Sequence, residues 1–204
     1  MGISINNFKV NETVVTEIQP FVNSIYAIEN LNADITTVTS AISDLSNSGL
    51  WFDRINGGRQ THNLSLTAHH SFNSLFEQIT PIANTVVKSW GLTVPIELKH
   101  FFINNDILNS YTPSHNHYGC VLSGVFYINV PENSGNITFE RPDTQECYFK
   151  GQELNPYSYT TFTLPPKENM LLLFPPFIKH RVELHKFKEH EIRVSISFDY
   201  RVPL

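Results

Sequence analysis

The chain has 204 residues, of which 41% are hydrophobic and 16% are charged, and its formal net charge is -5. This composition is typical of a folded domain with a sizeable core and excludes a disordered chain. Lysine and arginine are few and scattered, so no nucleic-acid partner is expected. Neither Cys120 nor Cys147 belongs to a C-x-x-C pair, which argues against a thiolate zinc site. Without a signal-like start or an apolar run of about 20 residues, we expect a cytoplasmic protein that contacts no membrane.

The first part of the chain contains two segments with helical periodicity. Apolar residues recur at helical spacing in residues 33–47 and, more clearly, in residues 71–91. Within the second segment, Pro81 predicts a kink or break and Gly91 predicts the end of the helix. The glycines and asparagines of residues 56–63, "NGGRQTHN", predict a loop between the two helices.

From about residue 95 the sequence changes to short runs rich in Val, Ile, Phe, Tyr and Thr, separated by turn residues. These runs are "PIELKHFFIN", "VLSGVFYINV", "GNITFE", "YTTFTL", "NMLLLF", "HRVEL" and "IRVSISFDYRV". Many short strands without intervening helices predict a sandwich or barrel of the jelly-roll type. We therefore expect a mainly β protein with N-terminal helices (α+β), in which residues 1–94 pack on a β-core formed by residues 95–204, as a single domain overall.

A pair of histidines, His115 and His117, lies in the stretch "SHNHYGCVLSG". Residues at i and i+2 of a strand point to the same face, so two imidazoles could reach one metal ion. The chain has nine histidines, however, and an isolated H-x-H pair also arises by chance.

Three downstream residues strengthen the metal hypothesis. His180 follows the apolar run "LLLFPP", and Arg193 and Ser195 alternate with apolar residues in "IRVSISFDY". An arginine on the inner face of a β-core is costly unless it meets an anion, and its planar fork suits a carboxylate. The alternative is that Arg193 faces outward and pairs with Glu183 or Glu191.

The order of these motifs resembles that of the iron(II)- and 2-oxoglutarate-dependent dioxygenases on the double-stranded β-helix fold. More narrowly, it is similar to a group of such oxygenases common in phages and marine bacteria. The segments that carry the resemblance lie within residues 99–200 and read "HNHYGCVLSGVFYINVPENSGNITFERPD", "LLLFPPFIKHRV" and "IRVSISFDY". The strand "FYIN" also resembles the "YYLN" strand of prolyl hydroxylases.

The resemblance implies a site and a reaction. His115 and His180 would be iron ligands, while Arg193, Ser195 and Tyr127 would bind the far carboxylate of 2-oxoglutarate. The cofactors implied are Fe(II), 2-oxoglutarate as cosubstrate, and O2. The reaction implied is hydroxylation of a C–H bond, coupled to decarboxylation of 2-oxoglutarate to succinate, with no catalytic residue beyond the metal centre.

Position 117 departs from the family pattern, because the facial triad usually places an acid two residues after the first histidine. Three alternatives remain open. His117 is the third ligand; or a carboxylate such as Glu140 or Asp143 completes the triad; or water takes the third position and His117 lies behind the ligands. We favour the first, because residues at i and i+2 of one strand share a direction.

Two rival hypotheses lead to other functions. A cupin-like metal-binding protein, or a dioxygenase independent of 2-oxoglutarate, also starts with H-x-H, although the acid that cupins carry shortly afterwards is absent here. A non-catalytic jelly-roll binding protein is the second rival. We expect a small molecule or a protein or peptide as the substrate, and a homodimer as the assembly.

Overall fold

The computed structural model describes residues 4–10, 13–19, 24–29, 31, 33–142 and 160–203. Its helices are α1 (Ile35–Leu45) and α2 (Ser71–Ser89). The described strands are β1 (Ser4–Val10), β2 (Thr13–Gln19), β3 (Tyr26–Ile28), β4 (Trp51–Asp53), β5 (Arg59–Thr61), β6 (Glu97–Asp106), β7 (Thr112–His115), β8 (Leu122–Asn129), β9 (Ile137–Glu140), β10 (Thr161–Leu164), β11 (Leu171–Phe174), β12 (His180–Val182) and β13 (Arg193–Arg201).

Two antiparallel sheets face each other. The larger has seven strands in the order β3-β11-β8-β13-β6-β5-β4, and the smaller has four in the order β10-β9-β12-β7. Strands β1 and β2 pair separately as a two-stranded ribbon. This mainly β arrangement with two helices agrees with the fold class predicted from the sequence.

Alternation along the strands divides the core into two layers. On β8, Phe126 and Ile128 pack in the cluster that contains the buried faces of both helices. Val125 and Tyr127, on the opposite face of the same strand, pack between the two sheets with residues such as Phe139 of β9. The helices thus cover the outer face of the larger sheet, and the space between the sheets is left for a site.

Helix α1 lies within the predicted segment and begins at a capped residue. The carboxylate of Asp34 accepts hydrogen bonds from the backbone N–H and the hydroxyl of Thr37, which satisfies a donor that the first turn leaves free. Helix α2 ends where Gly91 adopts a φ of +89°, as predicted. A break at Pro81 is not found, because α2 continues through Pro81 as one helix.

The sequence pattern did not predict the strands that lack a long apolar run. The predicted loop at residues 56–63 contains β5, which hydrogen-bonds to β6 and, with β4, extends the larger sheet. Strand β7 was also missed as an element, and it carries His115. Among the residues that the structure describes, neither helix has the length and apolar character needed to cross a bilayer.

Candidate metal centre and cosubstrate cavity

Three histidines from two strands and a loop meet at one end of the space between the sheets. His115 ends β7 and His180 begins β12, and the two are direct partners in the antiparallel register. His117 follows two residues later, in the loop after β7. One ligand nitrogen from each of the three lies within 4.8 Å of the others, close enough to share one metal ion. The structure therefore brings together all three predicted metal-ligating residues.

The hydrogen bonds of the rings decide which nitrogen faces the shared point. Nδ1 of His115 donates to the carbonyl oxygen of Pro113 at 2.9 Å, and Nδ1 of His180 donates to the carbonyl oxygen of Ile178 at 3.1 Å. Nδ1 of His117 is also engaged, and its Nε2 is buried without a partner. With each Nδ1 occupied, the Nε2 lone pairs are the ones available to a metal.

Burial keeps two of these imidazoles neutral. It lowers the pKa of His180 to about 3, and the nearby His115 ring adds to this effect. Burial also lowers the pKa of His115. A neutral imidazole has the free lone pair that metal coordination requires, so at neutral pH these ligands need not lose a proton first.

A carboxylate missed by the sequence analysis lies behind His117. Oδ1 of Asp199 accepts from His117 Nδ1 at 2.8 Å and from the hydroxyl of Ser123 at 2.6 Å, and Oδ2 lies 3.1 Å from Nε2 of His100. Burial alone would raise the pKa of Asp199, but the hydrogen bonds from His117 and Ser123 and the neighbouring His100 together outweigh it, and the pKa is lowered. The alternation of "RVSISFD" from Arg193 already placed Asp199 on the inward face, and that signal could have found it.

The two carboxylates predicted as alternative ligands do not join the described cluster. Glu140 lies on β9 and pairs with Arg181 at 3.2 Å. Asp143 lies outside the described residues. The described part of the chain thus offers three histidines, with Asp199 one residue removed from the shared point.

Arg193 faces inward, which removes the alternative of a surface pair with Glu183 or Glu191. Its side chain is 3% exposed, its guanidinium lies 5.2 Å from the ring centroid of Tyr127, and its Nη1 donates to the carbonyl oxygen of Gly135 at 3.0 Å. Its Nε and the hydroxyl of Tyr127 are buried without a hydrogen-bond partner. Buried groups with unused hydrogen-bonding capacity are costly unless a ligand meets them.

Ser195 lies next to Arg193 on the same face of β13, as predicted. It is 1% exposed, and Nδ2 of Asn104 donates to its hydroxyl at 3.4 Å. Asn104, on β6, also lines the cavity. Arg193, Ser195 and Tyr127 therefore lie together, in the same cavity as the histidines.

A second arginine and an acid complete this end of the cavity. Asp106 forms ion pairs with Arg54 and, at 3.5 Å, with Nε of Arg193, and Oδ2 lies 3.6 Å from Nε2 of His185. Burial by itself would raise the pKa of Asp106, but the nearby imidazole of His185 and the charges of Arg193 and Arg54 lower it to about 2. Arg54 comes from the loop before β5, so the missed hairpin supplies part of the site.

These groups fit iron and 2-oxoglutarate. The cavity has a volume of about 500 Å³ and is lined by the three histidines at one place and by Arg193, Ser195 and Tyr127 at another. This size is typical of a small-molecule site. Unpartnered nitrogens suit the metal, and the guanidinium with its neighbouring hydroxyls suits a carboxylate.

Comparison with known families agrees with this chemistry. Residues 103–199, from the centre of β6 to Asp199, match the family model described as "Putative 2OG-Fe(II) oxygenase". Over these residues, just under half of the chain, the sequence is similar to the 2OG-Fe(II) oxygenases. The match contains every predicted site residue, and this oxygenase is therefore an enzyme that uses Fe(II), 2-oxoglutarate and O2, rather than a cupin-like module or a non-catalytic jelly roll. No curated protein sequence shows detectable similarity to the chain.

Solved structures share the fold of this oxygenase at low sequence identity. A Pseudomonas putida prolyl-4-hydroxylase is 12% identical, with 89% of this chain and 94% of that chain covered and a TM-score of 0.62. HygX from Streptomyces hygroscopicus, with nickel and 2-oxoglutarate bound, is 13% identical over 89% and 84%, with a TM-score of 0.62. The α-ketoglutarate-dependent epimerase SnoN from nogalamycin biosynthesis is 15% identical over 88% and 79%, with a TM-score of 0.65. These similarities confirm the predicted double-stranded β-helix.

Proposed function

We propose that this oxygenase holds iron(II) through the Nε2 atoms of His115, His117 and His180. The observation that carries the proposal is that the same nitrogen, Nε2, is left free on each of the three rings. Each Nδ1 is already engaged with an oxygen, which leaves three Nε2 atoms for one ion. Three neutral nitrogen ligands suit a divalent first-row metal and leave positions for other ligands.

The same proposal assigns the far carboxylate of 2-oxoglutarate to Arg193, with Ser195 and Tyr127 adding hydroxyl contacts. A charge count supports this. At this end of the cavity the described residues offer the two guanidiniums of Arg193 and Arg54 one carboxylate, Asp106, which leaves one positive charge in excess there. A buried excess charge is unfavourable, and a bound carboxylate would balance it.

Bound iron and 2-oxoglutarate would supply the oxidising chemistry, in which O2 and the keto acid yield succinate, carbon dioxide and one oxygen atom for a C–H bond. The residues of the chain fix positions: the histidines hold the metal at one place and Arg193 holds the cosubstrate at another. Apolar side chains such as Val125 and Phe174 line part of the cavity and would help to exclude water once the substrate is bound. We infer hydroxylation rather than halogenation, because the large side chain of His117 occupies the position that halogenation leaves free. No further catalytic residue is assigned.

The substrate class, a small molecule or a protein or peptide, stays a prediction. The homodimer stays a prediction of the oligomeric state. The cytoplasm remains the expected compartment, because the spacing of the two cysteines indicates no disulfide framework.

Two kinds of measurement test the proposal. Mass spectrometry detects the iron(II)-dependent release of succinate, and titrations give the affinities of the protein for iron(II) and for 2-oxoglutarate. His180→Ala is expected to abolish metal binding and succinate release. Arg193→Gln is expected to retain iron but to weaken 2-oxoglutarate binding about 100-fold, because a charge-assisted contact is lost.

Two matched variants control for general effects on the fold. His190 is exposed, and Arg201 lies on β13 but pairs with Glu97 at the surface. We expect His190→Ala and Arg201→Ala to behave as the wild type. Succinate release by His180→Ala at the wild-type rate, or wild-type 2-oxoglutarate affinity in Arg193→Gln, would contradict the proposal.

A further inference from the structure

Asp199 is a buried carboxylate to which the proposed reaction assigns no role. Its side chain is 6% exposed, and its oxygens contact three neighbours: His117, Ser123 and His100. A buried ionised carboxylate persists only where its partners compensate for lost hydration. His100 and Ser123 belong to strands of the same sheet as Asp199, whereas His117 belongs to a loop.

The sheet holds the carboxylate in place. His100 on β6 and Ser123 on β8 are the direct register partners of Asp199 on either side of β13. His117, by contrast, belongs to the loop after β7, outside this sheet. The carboxylate is thus fixed by two strands and is able to fix the ring of a loop residue.

The three candidate ligands differ in what their Nδ1 atoms meet. His115 and His180 donate to neutral backbone carbonyls, whereas His117 donates to an ionised carboxylate at 2.8 Å. A carboxylate behind a ligating histidine fixes its tautomer and makes the imidazole a stronger donor to the metal. It also brings negative charge to a ligand set of three neutral rings.

We propose that Asp199 is a positioning residue of the metal centre, which orients His117 and supplies, through the Nδ1–H hydrogen bond, the negative charge that three histidine ligands lack. The inference rests on the proposed function, in which His117 binds the metal. In effect, the acid expected at position 117 is present one hydrogen bond further from the ion.

A double-mutant cycle with Co(II) as the probe tests this inference. Co(II) affinity is measured by titration of the metal-free protein, followed by absorption spectroscopy and calorimetry. Asp199→Asn is expected to weaken Co(II) binding about 10- to 100-fold. In the background His117→Ala, where no imidazole needs orienting, Asp199→Asn is expected to change the affinity by no more than about twofold.

Controls separate this role from a general effect on the fold. Ser123→Ala removes a hydrogen bond from the same carboxylate oxygen but leaves the contact with His117, and we expect near wild-type Co(II) affinity. Equal losses in Ser123→Ala and Asp199→Asn, or equal effects of Asp199→Asn in both backgrounds, would overturn the inference.

The proposed function and this inference can fail separately. If the wild type binds Co(II), His180→Ala does not, and Asp199→Asn binds as the wild type, only the role of Asp199 is overturned. If the wild type does not bind Co(II), the proposed function fails and the inference fails with it.

A spectroscopic measurement on the wild type covers the case in which Asp199→Asn does not fold. In ¹⁵N-histidine-labelled metal-free protein, we expect a proton on Nδ1 of His117, shifted downfield of those on His115 and His180 by its ionised partner. An unprotonated Nδ1 on His117 would overturn the inference.

Discussion

At the scale of single residues, the cavity is marked by buried polar atoms that lack a partner among the described residues. They include Nε2 of His117 and the hydroxyl of Tyr127. Leaving such a group unpaired costs about 1–3 kcal/mol of stability, which the rest of the fold must offset. Such unpaired atoms are expected where a bound ligand supplies the missing hydrogen-bond partner. A residue with an unpaired polar atom is therefore expected to bind a ligand, whereas a residue with all its polar atoms paired is expected to stabilise the fold.

Tyr127→Phe tests this separation. Removing an unpartnered hydroxyl is expected to leave the free energy of unfolding unchanged or slightly raised, but to weaken 2-oxoglutarate binding about tenfold or more. Calorimetric titration with 2-oxoglutarate and urea denaturation measure the two effects.

Tyr200 offers a matched control, because it is equally buried but its hydroxyl pairs with that of Thr80 at 2.8 Å. Tyr200→Phe is expected to cost about 1 kcal/mol of stability and to leave 2-oxoglutarate binding unchanged. The opposite pattern in the two variants would contradict the assignment of Tyr127.

Asp106 predicts a particular response to acid. Its pKa of about 2 lies below the ordinary 3.8, so its ionised form stabilises the fold above pH 3.8 and that contribution is lost as the pH falls toward 2. We expect Asp106→Asn to be less stable than the wild type at pH 7, and the difference to shrink by about 2 kcal/mol between pH 4 and pH 2. Denaturant titrations at several pH values measure this difference. A difference that does not change with pH would contradict the account of the buried cluster.

The sequence predicted the residues whose type and spacing carry chemistry, and missed those defined by their partners. His115, His117, His180 and Arg193 stood out, and the structure brings them into one cavity. Asp106 has no motif of its own, because its importance arises from Arg54 and His185, which only folding brings near. A local sequence pattern does not indicate such long-range ion pairs.

At the scale of elements, strands with long apolar runs were predictable and short polar strands were not. Strands β8 and β11 are buried on both faces and read as continuous apolar segments. Strands β5 ("RQT") and β7 ("TPSH") have no such signal and form because a neighbouring strand offers hydrogen bonds. Tertiary pairing thus created the elements that local propensity did not indicate.

Helix α2 shows the reverse case, in which a local signal for a break was overridden. Its buried face, including Phe76, Ile79 and Ala83, packs on the larger sheet on both sides of Pro81. Packing therefore stabilises the helix beyond the position where Pro81 cannot donate a hydrogen bond.

Replacing this proline should stabilise the protein. Pro81 is exposed, so Pro81→Ala is expected to raise the free energy of unfolding by about 2 kcal/mol, because the helical hydrogen bond is restored. Pro95→Ala, in the exposed segment before β6, is the control and is expected to lower it by about 0.5 kcal/mol through the entropy of the unfolded chain. Urea denaturation measures both. A loss of stability in Pro81→Ala would show that the proline fits the helix better than alanine does.

At the scale of the whole molecule, two facing sheets create the cavity and the helices only cover its back. The metal ligands come from the smaller sheet and its adjoining loop, whereas Arg193, Ser195 and Tyr127 come from the larger sheet. The relative placement of the two sheets therefore sets the distance between the metal and the cosubstrate carboxylate. A sequence pattern predicts which residues meet, but this distance follows only from the packing of the complete fold.

The central claim is a three-histidine metal site facing a cosubstrate held by Arg193, and a crystal structure with Mn(II) and 2-oxoglutarate under anaerobic conditions tests it most directly. We predict an anomalous manganese peak bonded to Nε2 of His115, His117 and His180, with the far carboxylate of 2-oxoglutarate on Arg193. A manganese ion ligated by Glu140 or Asp143 in place of His117, or a cosubstrate carboxylate away from Arg193, would contradict it.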